Sequence, residues 1–355
     1  MWSVHLSCRS AWNRRKNRTI CGDQMIKKSQ YLPICLTLLL MVGSLSLPAT
    51  VNGQISFVRN VSNKGTVAAP FLELGVNARA EAMGGAYVAQ YGNVDMMYWN
   101  PAGLMGVEGI GLSFSNIEWL AETSFQYAAA TVPLYGLNSM LGVSFTTLGV
   151  PQQDVRDYDG SLTGERYDAR DFALGLTFAT SLTEKISVGG SAKYIHQRIW
   201  SEKAIGMALD FGIHYQTPIE GLSMGTSLSN FGGNMSMDGK NLKEIIDPDP
   251  INQGVNDIPV SYETSGYPLP QLFRFGLAYQ RDFGDIHTMT AIDVMHPTAS
   301  TESINLGTEF GLRDIVFIRA GYQNLFERGQ VNGLTLGAGV LAKIQSRQQL
   351  QFDYA

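Results

Sequence analysis

Residues 204–217 constrain the fold more than any other stretch. Ile205, Met207, Leu209, Phe211, Ile213 and Tyr215 take every second position, and Gly206, Ala208, Asp210, Gly212, His214 and Gln216 fill the positions between. A period of two sends alternate side chains to opposite faces of an extended strand. One face here is wholly apolar; the other is small, polar or charged. Residues 171–180, 303–313 and 333–344 repeat the pattern. Single charges (Lys193, Asp210, Arg274, Asp293, Glu309, Arg319, Lys343) oppose the unbroken apolar face. A soluble sandwich hides its apolar face inside. Glycine, alanine and isolated charges on the other face match strands that turn apolar side chains to lipid and polar ones to a lumen.

About thirteen such segments follow one another, beginning near Gly109, Ser124, Ser139, Arg170, Ile186, Ala204, Gly221, Leu272, His287, Ser303, Ile315, Gly333 and Arg347. Their connections segregate by parity. Residues 133–138, 181–185, 218–220, 284–285 and 313–314 are short turns after even segments. The long connections 149–169, 232–271 and 323–332 all follow odd ones. Short periplasmic turns and long outer loops are the rule of outer-membrane barrels, whereas a sandwich has no reason to sort loops this way. The expected fold is all-β, a transmembrane antiparallel barrel of about 14 strands in the outer membrane. An odd thirteen leaves either a final strand missing from this chain or one segment misread. Truncation is the favoured reading, because "RQQLQFDYA" stops in mid-pattern.

Composition agrees. Charged residues are 16% of the chain, against roughly 25% in ordinary soluble domains. The net charge of -5 does not point to nucleic acid as a partner. Cys8, Cys21 and Cys35 are the only cysteines, so the body of the chain has no thiolate metal site, disulfide or cysteine nucleophile. Lys27 and Lys28 precede the apolar run 31–47, and small residues follow at 51–53. That is the pattern of a secretory signal cleaved before Gln54; Pro33 and Gly43 interrupt the run and argue against a membrane helix. The domain reading is therefore 1–24 as an extension upstream of a true start at Met25, 25–53 as signal peptide, 54–108 as an N-terminal hatch, and 109–355 as the barrel.

Residues 54–108 do not alternate. A short helical pattern at 78–83 ends at Gly84-Gly85, and "MYWNPAGL" follows at 97–104. Proline fixes its own φ and drives the residue before it out of the helical region, so Asn100-Pro101 is a rigid turn. Tyr98 and Trp99 beside it give bulk that would fill a lumen, where irregular backbone is tolerated at membrane depth. Tyr98, Trp99, Asn100, Pro101 and Gly103 are the candidate hatch motif, structural or gating.

"GVNARAEAMGGAYVA" and "MYWNPAGL" resemble the N-terminal signature of the PorV/PorQ family of outer-membrane proteins. The Asn100-Pro101-Ala102-Gly103 element is also similar to the hatch of FadL-type transporters. The resemblance implies a fourteen-stranded barrel, and two kinds of function. PorV-like relatives imply docking of type IX secretion machinery or of cargo C-terminal domains on outer loops. FadL-like relatives imply passive transport of hydrophobic small molecules.

No catalytic constellation is expected, and no enzyme. The five histidines, His5, His196, His214, His287 and His296, show no paired metal-ligand spacing, so neither metal nor cofactor is expected. "DVRDYDG" at 154–160 lacks the closing glutamate of a calcium loop. The lumen face of glycine, alanine and charge suits a hydrophobic ligand poorly, which tilts the reading toward docking. The loop 232–271 carries Ile251, Val255, Ile258, Tyr262 and Tyr267, apolar for a solvent loop and the candidate partner-binding surface. The alternative is that this loop folds over its own barrel mouth. Expected partners are outer-membrane lipid and those secretion components, with no nucleic acid.

Overall fold

The computed structural model describes residues 1–8, 65–118, 122–247, 258–327, 333–345 and 348–355. The signal peptide read at 25–53 lies outside them. The chain divides into two compact units. One comprises Met1–Ser10 and Arg59–Ala355; the other, Ala11–Val58, falls wholly outside the described residues.

Sixteen strands are described: β1 (Trp2–Cys8), β2 (Ile110–Glu118), β3 (Ser124–Leu134), β4 (Ser139–Arg156), β5 (Leu162–Ser181), β6 (Ile186–Ile199), β7 (Glu202–Gln216), β8 (Leu222–Gly232), β9 (Lys243–Ile246), β10 (Ile258–Ser261), β11 (Leu272–Phe283), β12 (Ile286–Pro297), β13 (Ser303–Leu312), β14 (Val316–Leu325), β15 (Leu334–Gln345) and β16 (Gln348–Tyr354). Fourteen close into one antiparallel barrel, and β9 and β10 pair separately in the loop between β8 and β11. Each strand pairs with its sequence neighbour in the wall, as hairpin connections dictate. Among the described residues no helix is long and apolar enough to cross a membrane. Closure removes the open edge that lipid could not satisfy.

The alternation sets the two faces. Leu174, Leu176 and Phe178 of β5 and Ile205, Met207, Leu209, Phe211 and Ile213 of β7 are exposed on the outside. Thr177, Asp210, His214, Ser227, Arg274, Asp293, Glu309 and Arg319 are buried on the inside. An apolar exterior around a polar interior places this barrel in the outer membrane. Lys343, expected among the inward charges, is instead exposed near the end of β15.

Two sequence expectations differ from the structure. The fourteenth strand is β1, from the stretch read as an upstream extension, and not a segment beyond Ala355. Trp2 to Cys8 pairs with Tyr354 to Gln348 on one side and with Asn116 to Ile110 on the other. Trp2, packed beside Phe114 and Phe352, joins the apolar exterior, while Ser3 and His5 are buried inside. The period is the same as in the other strands, only shorter. The second difference is the connection 149–169, which is no loose loop. β4 and β5 run on as a hairpin, closed by a turn in which the Gly160 N–H bonds the Asp157 carbonyl at 2.9 Å. At that tip Asp159 accepts from the Ser161 N–H at 2.8 Å, and hydrogen bonds from Ser161 hold its carboxyl below the usual range. Asp154 pairs with Arg166, so the three aspartates build a hairpin and do not converge. No cluster that could hold a metal occurs among the described residues.

Candidate functional site

Residues 65–109 lie within the barrel, and most of them are buried. At the long-loop end the N–H of Ala68 donates to the Pro268 carbonyl and that of Ala69 to Gln197 Oε1, both at 2.9 Å. From there the chain descends through two short helices, α1 (Ala78–Ala82) and α2 (Met96–Trp99), and a 3-10 turn, Pro101–Gly106, to the start of β2 at the short-turn end.

Local chemistry shapes this lumenal segment. Asn77 caps α1 by accepting from the Arg79 N–H. Gly84 and Gly85, with φ of 66° and 69°, end it in a conformation that glycine adopts without strain. Pro101 holds Asn100 extended, at φ -161° and ψ 102°, which points the Asn100 side chain back over the segment. Its Oδ1 caps Ala102, and its Nδ2 donates to the carbonyls of Val88 (2.8 Å) and of Ile213 on the wall (3.0 Å). Asn100 therefore ties three stretches of backbone together.

Tyr98 and Trp99 fill the lumen beside it, their rings 5.1 Å apart at 77°. Both polar tips are satisfied: the Tyr98 hydroxyl donates to the Leu72 carbonyl and the Trp99 indole to that of Val76, each at 3.1 Å. The Arg274 guanidinium from β11 covers both rings, 5.5 and 5.2 Å from their centroids.

The wall grips the segment in two ways. One is ionic. Arg79 makes a bidentate pair with Glu309 of β13, 2.7 Å on each arm. Glu309 also accepts from Arg319 of β14, which donates in turn to Asp353 of β16 at 2.7 Å. Asp293 of β12 accepts the backbone N–H groups of Tyr87 (2.7 Å) and Val88 (2.8 Å). From the short-turn half, His214 Nε2 meets the Ala89 carbonyl at 3.1 Å and its ring stacks on Tyr91. On β1, His5 lies 3.1 Å from Asp95, which also accepts from Asn77.

The other grip is steric. Gly189 of β6, Gly225 of β8 and Gly307 of β13 leave room for Pro101, Val88 and Met83 respectively, and a Cβ at any of them would collide with lumenal backbone. These glycines of the lumen face are sockets for this segment.

Two spaces beside it bear on function. A groove of about 490 Å³ opens at the long-loop end. Its sides are Met235, Met237 and Tyr267 from the loop between β8 and β11, with Gln197 of β6 and Ala204 of β7, and residues 67–70 also line it. Deeper, a cavity of about 20 Å³ lies between Leu72, Met97 and Tyr98 and the wall residues Tyr127, Ser144, Thr146, Ala173, Gly175 and Lys193.

Of the residues singled out from sequence, Tyr98, Trp99, Asn100, Pro101 and Gly103 are all buried together in the lumen. Ile251 and Val255 lie outside the described residues. Ile258 stands exposed on β10. Tyr262 is exposed, and its hydroxyl donates to Glu244. Tyr267 turns the loop inward, exchanging two backbone hydrogen bonds with Met235 and lining the groove. Part of the loop thus folds over its own barrel mouth, while the β9–β10 pair remains exposed. Arg79, Gln197, Met235 and Met237 escape a reading of the sequence; nothing local distinguishes them, because their roles depend on partners far along the chain.

No known protein-family description matches this chain, and no curated protein matches it in sequence. Among solved structures it is similar to the toluene transporter TodX of P. putida, with 10% identity over 79% of this chain and 96% of that one and a TM-score of 0.48. It is similar also to CymD, a monoaromatic hydrocarbon channel, at 13% identity over 79% and 96% with a TM-score of 0.49. A FadL homologue of Pseudomonas aeruginosa matches at 7% identity over 78% and 96% with a TM-score of 0.46.

Proposed function

We propose that this protein is a passive outer-membrane channel for small apolar molecules, with residues 65–109 as its gate. The observation that carries the reading is the groove at the long-loop end. A volume of about 490 Å³ is the size of a small-molecule site. Met235, Met237 and Tyr267, with Val67, Pro70 and Ala204, give it a mainly apolar and adaptable lining, and Gln197, Thr264 and Ser265 add neutral polar groups. The expectation that a lumen face of glycine, alanine and charge suits such a ligand poorly loses its force, because many of those positions, Gly189, Gly225, Gly307, Asp293 and Glu309 among them, hold the lumenal segment. The solute would meet side chains of the loop and of the gate instead.

The groove touches the gate where the gate is tied. Gln197 both lines the groove and accepts the Ala69 N–H, so an occupant sits against one of the bonds that fasten the segment at its long-loop end. Passage needs no covalent step, only displacement of part of the segment along the wall.

A second reading, docking of type IX secretion components or of cargo C-terminal domains, is favoured by the β9–β10 pair, where Ile245, Ile246 and Ile258 are exposed. Deleting the gene separates the two. Loss of toluene uptake with an unchanged set of surface proteins supports the channel. Accumulation of exported proteins in the periplasm with normal uptake supports docking.

A further inference from the structure

We infer that the small cavity between the lumenal segment and β3–β6 receives the polar atom of a neutral, oxygen-bearing solute, and that Tyr127 is the residue that selects for it. The inference rests on the channel reading and adds a solute class to it. Tyr127 is 1% exposed, lines the cavity, and its hydroxyl has no hydrogen-bond partner. A buried hydroxyl without a partner is costly, so a donor left free beside an empty space points to an acceptor that arrives from elsewhere.

The surroundings narrow the chemistry. Tyr98 bonds the Leu72 carbonyl, and Lys193 pairs with Asp210 at 2.7 Å and donates to Asn230 at 2.9 Å, while the neutral hydroxyls of Ser144 and Thr146 complete the polar lining. With its one cation already paired, the cavity offers no free charge to a carboxylate. A volume of about 20 Å³ admits a group of about the size of one water, such as a hydroxyl or carbonyl, and not a ring.

The cavity also lies below the groove on the same wall. Gln197 at the groove and Lys193 at the cavity are both on β6, four residues or roughly 13 Å apart. Pro70 and Leu72 mark the same descent on the lumenal segment. A small aromatic solute moving down the wall from the groove brings its oxygen to Tyr127 once Ile195 and Phe71, both buried, give way.

Toluene and p-cresol differ by one hydroxyl and form the test pair. Radiolabelled uptake of each is measured in host cells producing wild-type protein or Tyr127→Phe, with heat-modifiable electrophoretic mobility as the check that the variant folds. The inference expects Tyr127→Phe to slow p-cresol uptake roughly fivefold, the worth of one ordinary hydrogen bond, and to leave toluene unchanged. An unchanged ratio in a folded variant overturns the role of Tyr127 while the channel reading stands. Uptake of neither solute by the wild type overturns both.

Discussion

Arg79 and Glu309 are 230 residues apart in sequence and form a two-armed ion pair, 2.7 Å on each arm, that fastens the lumenal segment to the barrel wall. Glu309 also serves Arg319, and its side chain is fully buried. Removing one partner of a buried pair leaves a charge uncompensated and costs about 3–5 kcal/mol. Glu309→Ala strands Arg79 and leaves Arg319 with Asp353 alone, whereas Arg79→Ala leaves Glu309 with Arg319. Urea unfolding in detergent will therefore show a larger loss for Glu309→Ala than for Arg79→Ala. The reverse order would contradict the assignment of Glu309 as the shared anchor.

The glycine sockets make a steric prediction. A Cβ at Gly189 would lie 2.6 Å from the Pro101 carbonyl carbon, and backbone cannot swing aside as a long side chain can. Gly189→Val is expected to cost about 1–3 kcal/mol through overpacking and to open the lumenal segment to trypsin at Arg79. Gly136→Ala, where nothing lies within 4 Å, is the control and should leave both readouts unchanged.

Asn100 is expected to resist even its isostere. In Asn100→Asp the cap on Ala102 survives, but the carboxylate faces the carbonyl oxygens of Val88 and Ile213 that the amide now serves as donor. A loss of about 1–3 kcal/mol follows from unpaired buried acceptors alone. Trp99 is the preceding residue, so in a background where the other four tryptophans are replaced by phenylalanine its fluorescence maximum reports whether the turn has loosened. A red shift is expected; an unchanged spectrum with unchanged stability would mean that Asn100 does not hold these stretches of backbone together.

The exterior face of the wall should reject charge. Leu176→Arg on the exterior of β5 is expected to cost about 2–4 kcal/mol if it sits near the bilayer midplane. Its register partner Val143 faces the same side, so Val143→Arg should behave alike. Unimpaired folding of both variants in assays with lipid vesicles would argue against a lipid-facing exterior.

Much of the wall was legible in the sequence because each membrane strand carries its own signal. The segment read from Ala204 is β7, Glu202–Gln216, and that read from Ser303 is β13, Ser303–Leu312. Two strand features escaped for physical reasons. The outer half of the β4–β5 hairpin, with Gln152, Gln153, Asp154, Glu165 and Arg166, projects beyond lipid and needs no apolar face, so its alternation vanishes though its pairing persists. β1 alternates, Trp2-Ser3-Val4-His5-Leu6, but it is short and stands a hundred residues from its wall neighbour β2. At the candidate site the bulk of Tyr98 and Trp99 and the stiffness of Asn100-Pro101 could be read locally. The carbonyls they bond, the arginine over their rings and the Arg79–Glu309 pair could not, because long-range pairing leaves no local trace.

The central claim, that a small apolar solute enters through the groove and past residues 65–109, is tested most directly by one uptake measurement. Host cells lacking hydrocarbon channels of their own are given this protein or its Met235→Arg variant, and radiolabelled toluene entry is timed. The account predicts faster entry with the wild-type protein than with none, and a return toward the baseline when an arginine occupies the groove at a position that touches neither β9 nor β10. Equal entry with and without the protein, or a Met235→Arg barrel as fast as the wild type, would contradict it.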